Sequence, residues 1–168
     1  MSDAPTPNDE LFQGRILQGV SRTFALTIPT LPKELDRAVA NAYLLCRIAD
    51  TIEDDADLVF DDKQRYSQQF IDVIRGDADG DEFGRELAPR LASHTLVAER
   101  ELIVETAAVI RITHSLNATQ REAMQNCVRT MADGMVYYQG QETLNGLPDQ
   151  PAMDRYCYYV AGVVGEML

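Results

Sequence analysis

The stretch Tyr43 to Asp55, YLLCRIADTIEDD, constrains this chain more than any other. At about 100° per residue, Tyr43, Arg47, Asp50 and Asp54 fall within an arc of about 60° on one helix face. Around them stand Leu44, Leu45, Cys46, Ile48, Ala49 and Ile52. A helix apolar on most sides is a buried helix, so a phenol, a guanidinium and two carboxylates form a narrow stripe inside the protein. Two like charges at i,i+4 repel by about 0.2–0.5 kcal/mol even in water, and burial raises that cost. Arg47 can neutralise part of it, and a hard divalent cation is the natural partner for the rest. A stripe of carboxylate oxygens without histidine favours magnesium over zinc. An isolated DxxxD is more often a solvated helix end, so its companions decide the reading.

Composition excludes several classes. The 168 residues are 45% hydrophobic with Gly 10 and Pro 7, which suits one globular domain with a real core. The net charge of −12 comes from 27 acids against 15 bases, and lysine occurs only at Lys33 and Lys63. No basic surface is present to follow a phosphate backbone, which argues against nucleic-acid binding. Cys46, Cys127 and Cys157 lack CxxC spacing and sit in apolar helical patterns, as buried thiols of a reducing compartment do. The polar start MSDAPTPNDE has no signal-peptide character. No apolar run reaches the length of a membrane span.

Along the chain, residues 1–9 are expected to form a flexible tail and 10–168 a single α-helical domain. A short helix from Glu10 leads to Ser21-Arg22-Thr23-Phe24 and breaks at Pro29 and Pro32. Pro32 should open the next helix, which runs to about Asp55. An acidic loop follows, then a helix capped by Asp61 or Asp62 and stopped by Gly76. Asp77-Ala-Asp79-Gly-Asp81 has its glycine at the wrong position for a calcium loop and reads as a solvated turn. Helices are expected at 84–94 and 98–113. Asn117 and Gln120 make an amide capping box before a long helix to about Gly140. Asn145-Gly146 and Pro148 form a turn, and a last helix begins near Pro151. No segment alternates as a strand does, so the chain is all-α. The apolar ending VAGVVGEML lacks a cap, which suggests a chain that continues into partner helices.

The second notable segment is DRYCYYVAGVVGEML. Gly162 and Gly165 each cost about 1 kcal/mol against alanine in a helix. Their ordinary reason is close helix packing, but they also suit the wall of a channel for a long apolar substrate. Taken together and in order, SRTFALTIPTLP, YLLCRIADTIEDD and DRYCYYVAGVVGEML resemble the squalene and phytoene synthase family, from about Leu11 to Leu168. DTIEDD, SRTFA and the YxYVAG form are similar to the squalene-forming branch, in particular its bacterial members.

The resemblance implies an all-α isoprenoid synthase bundle, here its N-terminal portion. It implies head-to-head condensation of two farnesyl diphosphates through presqualene diphosphate, then reduction by NADPH to squalene, a step toward sterols or hopanoids. Asp50 and Asp54, with Glu53, match the first aspartate-rich motif, which holds Mg2+ against the diphosphate. Arg47 and Tyr43 match residues reaching the diphosphate and the reacting carbons. Ser21, Arg22, Thr23 and Phe24 match the segment closing over the diphosphate, with Arg22 and Arg47 also matched to the NADPH region. Tyr156 matches a tyrosine of the first half-reaction, and Val160, Ala161, Val164 and Gly165 match the prenyl channel wall. The family's second aspartate-rich motif lies beyond Leu168, and Asp133 in MADGM has no DxxxD partner. The isolated chain is therefore expected to be inactive. The resemblance also implies a cytoplasmic protein whose product release brings it to the inner face of a membrane. Alternatives are a phytoene or dehydrosqualene synthase without the reduction, and a helical scaffold without catalysis. A di-iron bundle would need Glu-x-x-His pairs, but Leu91 and Arg111 precede His94 and His114 by three.

Overall fold

The helix carrying the acidic stripe is the one around which the others are laid. The structure, a computed structural model, describes residues 4–141 and 146–167. In chain order its helices are α1 (Pro7–Val20), α2 (Phe24–Thr27), α3 (Leu35–Asp54), α4 (Phe60–Arg75), α5 (Gly80–Leu87), α6 (Val97–Val104), α7 (Thr106–Ser115), α8 (Ala118–Gln139), α9 (Gln150–Cys157) and α10 (Val163–Met167). Short 3₁₀ turns occupy Ile28–Thr30 and Ala88–Arg90, and a π-helical turn at Tyr158–Gly162 joins α9 to α10. Among the described residues there is no strand, and the all-α expectation holds.

α3 packs against α1, α4, α6, α7 and α8. Its Leu44, Leu45, Ile48 and Ile52 are fully buried, as the apolar surroundings of the stripe require. One polar thread crosses this core. Asn41 donates from Nδ2 to Thr113 Oγ1 at 2.7 Å and accepts from Gln13 Nε2 at 3.2 Å, tying α1, α3 and α7 together. Each polar group of the thread has a partner, so it fixes helix register without leaving a buried donor or acceptor unpaired.

Several boundaries differ from the sequence reading. α1 begins at Pro7, because Thr6 and Asp9 form a capping box. Asp9 is 4% exposed and receives two bonds from Arg111, at 2.6 and 3.0 Å. Residues 7–9 are thus helical and anchored. α3 begins at Leu35 rather than Pro32, after Glu34 at φ 79°, and Pro32 O accepts from the N–H groups of Leu35 and Asp36. Neither Asp61 nor Asp62 caps α4, since the N-cap is Val59; both acids lie in the first turn, where the dipole favours them. Gly76 does end α4, in the left-handed region at φ 90°.

Asp79 caps α5, so the expected turn is a helix start and the helix expected at 84–94 begins at Gly80. The span expected at 98–113 is two helices broken at Glu105, beside Thr106, whose hydroxyl turns back to the Ile103 carbonyl. The Asn117–Gln120 capping box forms as expected. Cys46 and Cys127 are buried, but Cys157 is exposed. Asn145 and Leu168 lie outside the described residues.

Candidate active site

The C-terminal end of α3 is electrostatically the wrong place for acids. The helix dipole is negative there, and α3 has no basic residue in its last turn. Its exposed carbonyls are instead covered from neighbouring helices: Glu53 O accepts from Lys63 Nζ of α4 and from Gln139 Nε2 of α8. Lys63 is therefore bonded to the main chain, not to the Glu53 carboxylate.

The acids record this environment. Burial pushes Asp50 up to about 6; Arg47 opposes the shift, while Asp54 and Glu99 add to it. Burial, helped by Asp54 and Asp50 and opposed by Lys63, pushes Glu53 up to about 7. These are carboxylates short of positive charge.

Three hollows meet this part of α3. The first, of about 380 Å³, is walled by Ile28, Val39, Ala42, Met131, Val160, Ala161 and Val164, and Phe24, Tyr43, Arg47 and Asp50 also face it. The Phe24 and Tyr43 rings lie 5.2 Å apart. One turn further along α3, Glu53 and Asp54 line a hollow of about 400 Å³ with Lys63, Tyr138, Gln139 and Tyr156. Burial, Glu53 and Asp54 raise the Tyr156 phenol above its usual value, and its ring meets Tyr138 edge-on at 5.4 Å. Larger hollows of about 730 and 670 Å³ lie between α4 and α8 and beside α1. They contain none of the expected site residues, and size alone does not identify a site.

Arg47 is held by two partners, Tyr43 and Glu99. Its Nη2 donates to Tyr43 Oη at 3.0 Å, and that hydroxyl donates to Val20 O at 3.1 Å. Nη1 lies 3.8 Å from Glu99 Oε1, and Nε is buried without a partner. Burial works against its charge, but Tyr43, Asp50 and Glu99 keep it protonated. Glu99, on α6, also lines a smaller hollow of about 260 Å³ with Arg47, Thr51 and Asp54. Nothing in the sequence around Glu99 marks it as a partner of a residue 52 positions away.

The structure thus brings Phe24, Tyr43, Arg47, Asp50, Val160, Ala161 and Val164 to one cavity, and Glu53, Asp54 and Tyr156 to the next. Asp50 is half-buried and Asp54 exposed, each beside a hollow. Ser21 shapes the site from behind: its Oγ accepts from Phe24 N–H at 3.0 Å and starts α2. Arg22, Thr23 and Gly165 are exposed and lie outside the cavity lining. Asp133 is exposed and lines the hollow between α4 and α8 with Asp61 and Asp72, not the hollows that Asp50, Glu53 and Asp54 line. Asp55, the last acid of DTIEDD, is structural. Burial pushes it up, but bonds from Ala92 N–H, Thr95 Oγ1, Asp57 N–H and Leu58 N–H outweigh that and hold it low. Among the described residues, no three His, Cys, Asp or Glu side chains converge to hold a metal ion by themselves.

An all-α bundle with an apolar cavity that Asp50 faces, beside a hollow lined by Glu53 and Asp54, has the architecture of an isoprenoid synthase. The family model for squalene/phytoene synthase matches residues 17–168, and the chain belongs to that family. It is 34% identical over 154 residues to the squalene synthase of Schizosaccharomyces pombe, covering 90% of this chain and 32% of that protein. Against the squalene synthase of Saccharomyces cerevisiae the identity is 32% over 158 residues, covering 91% and 33%. A solved structure of TcSQS with a ligand superposes with a TM-score of 0.78 at 30% identity, covering 99% of this chain and 43% of that one. The chain therefore spans about a third of the length of the curated relatives it matches.

Proposed function

We propose that this chain forms the N-terminal part of the active site of a squalene synthase, an enzyme joining two farnesyl diphosphates head to head and reducing the product with NADPH. The observation that carries the reading is the apolar cavity lined by Asp50, Arg47 and Tyr43 of α3 together with Val160, Ala161 and Val164 of the C-terminal segment. Such a cavity accepts a flexible isoprenoid chain and keeps water from a cationic intermediate, which water would trap as an alcohol.

Asp50, Glu53 and Asp54 fit magnesium by their chemistry: oxygen donors, short of cation, at the negative end of a helix. Since they do not converge as a complete set, further ligands would come from the diphosphate and from other parts of the protein. Bound there, magnesium would neutralise charge on the departing diphosphate. Arg47, fixed by Tyr43 and Glu99, would meet diphosphate oxygens as a preoriented donor. Tyr156, beside Glu53 and Asp54, would accept or relay the proton lost when the cyclopropane closes. Arg22, exposed on the SRTF turn, and Arg47 are the residues proposed to meet the phosphates of NADPH. An apolar product also implies delivery at a membrane surface.

The test is product analysis. The protein translated from the whole reading frame, given farnesyl diphosphate and Mg2+, should yield squalene with NADPH, and residues 1–168 alone should yield none. Dehydrosqualene or phytoene with NADPH present would reassign it to the non-reductive branch. Unchanged turnover in an Asp50→Asn/Asp54→Asn double variant would refute the assigned site.

A further inference from the structure

α9 is lightly held. Of its eight residues only Ala152 is buried, and the helix packs on α8 and on the π-helical turn that follows it. Tyr156 nevertheless lines the hollow of Glu53 and Asp54, and among the described residues its hydroxyl makes no hydrogen bond that would aim it. What meets it is Tyr138, in the last turn of α8. The two rings lie 5.4 Å apart at 77°, edge to face, an arrangement that aromatic quadrupoles favour. The Tyr138 hydroxyl donates to Ala152 O at 3.2 Å, the carbonyl one turn before Tyr156. Tyr138 thus holds α9 at its buried residue and Tyr156 at its ring. It is itself 9% exposed and packed by Tyr137 at 5.0 Å and Tyr159 at 6.1 Å. Tyr159 can lie so near α8 because Gly134, one turn before Tyr138, carries no Cβ. The next residue, Gln139, donates to Glu53 O, so one turn of α8 touches both the helix end of the acids and the helix of the phenol.

We propose that Tyr138 is a positioning residue for Tyr156, fixing where that phenol stands relative to the acids of α3. The inference rests on the role given above to Tyr156 in handling a proton; Tyr138, its hydroxyl engaged by Ala152 O, handles none. Proton transfer requires the two groups within hydrogen-bond reach, and a displacement of about 1 Å at such a group lowers the rate by up to about 100-fold. The Tyr138 ring meets Tyr137, Tyr156 and Tyr159, whereas its hydroxyl makes a single neutral bond, so the ring carries most of the effect. Tyr138 does not line the apolar cavity, so affinity for the prenyl substrate should survive its loss.

The test uses the protein translated from the whole reading frame, assayed for presqualene diphosphate formation from farnesyl diphosphate and Mg2+ without NADPH. Tyr138→Leu should lower kcat about 10- to 100-fold, with KM changed by less than about twofold. Tyr138→Phe, which keeps the ring, should restore kcat to within about threefold of wild type. Because Tyr138 acts through Tyr156, Tyr138→Leu should add nothing to the loss already caused by Tyr156→Phe. Should Tyr138→Leu fail to fold, Tyr138→Met fills the space without a ring and is read in the same way. Four results overturn the positioning role while leaving that of Tyr156 intact: undiminished kcat in the folded variant without the ring, a loss carried by KM, equal impairment of the Phe and Leu variants, or losses that multiply in the double variant. Full activity in Tyr156→Phe would instead remove the role of Tyr156, and this inference with it.

Discussion

Asp50→Asn should make the metal-free protein more stable. In the fold the Asp50 carboxyl is raised from 3.8 to about 6, and each tenfold change in proton affinity corresponds to about 1.4 kcal/mol. The whole displacement is worth about 3 kcal/mol above pH 6; allowing for the part of the side chain that reaches solvent, about 2 kcal/mol is expected. Between about pH 4 and 6 the folded state holds a proton that the unfolded state has lost, so wild-type stability falls as pH rises through that window. Above it the penalty is constant, and asparagine removes it. Urea unfolding followed by circular dichroism in EDTA should show the Asp50→Asn midpoint about 1 M higher at pH 7.5, taking a slope of about 2 kcal/mol/M. At pH 4 the two midpoints should nearly coincide. A variant less stable than wild type at pH 7.5 would mean that Arg47 already satisfies Asp50. This helix end would then have no call for a cation.

Three further outcomes follow from particular contacts. Asp9 is held at about 2 by its bonds to Arg111, against burial. That pair contributes about 2 kcal/mol above pH 4, lost as pH falls from about 4 to 2, and acid titration of Asp9→Asn against wild type should show the transition flattened. Asp55→Ala leaves the N–H groups of Ala92, Asp57 and Leu58 without their acceptor, and should cost about 2–4 kcal/mol in chemical denaturation; no loss would place Asp55 outside the frame. A Cβ at Gly134 would sit 2.3 Å from Cγ of Tyr159 on the π-helical turn. Gly134→Ala should therefore cost about 1–3 kcal/mol and recover in the Gly134→Ala/Tyr159→Ala double variant, read by thermal melts.

What the sequence disclosed is what local geometry determines. The Asn117 capping box and the Gly76 stop depend on local geometry alone, and the structure has both. Helix period also places Tyr43, Arg47, Asp50 and Asp54 along α3. The stripe is not interior throughout, since Asp54 is exposed and lines the hollow next to the one that Tyr43, Arg47 and Asp50 face. Signals that depend on distant chain were hidden. Asp9 looks like part of a polar tail until Arg111, 102 positions away, is packed against it. Glu99 becomes a partner of Arg47 only when α6 crosses α3. In DTIEDD, composition cannot separate the ligand-type acids from Asp55, whose four bonds arise from the loop at 92–95 and its own turn. Gly162 and Gly165 suggested close packing or a channel wall. In the fold Val160, Ala161 and Val164 supply that wall, and a Cβ at Gly165 would meet nothing within 4 Å.

The central claim is that the carboxylates of α3 and the apolar cavity act as one site for a cation-bound prenyl diphosphate. Equilibrium dialysis of radiolabelled farnesyl thiodiphosphate, a slowly reacting analogue, against the protein of the whole reading frame tests it most directly. Binding should require Mg2+, be abolished by EDTA, and fall sharply in the Asp50→Asn/Asp54→Asn variant. Equal binding in EDTA, or undiminished binding by that variant, would contradict the account.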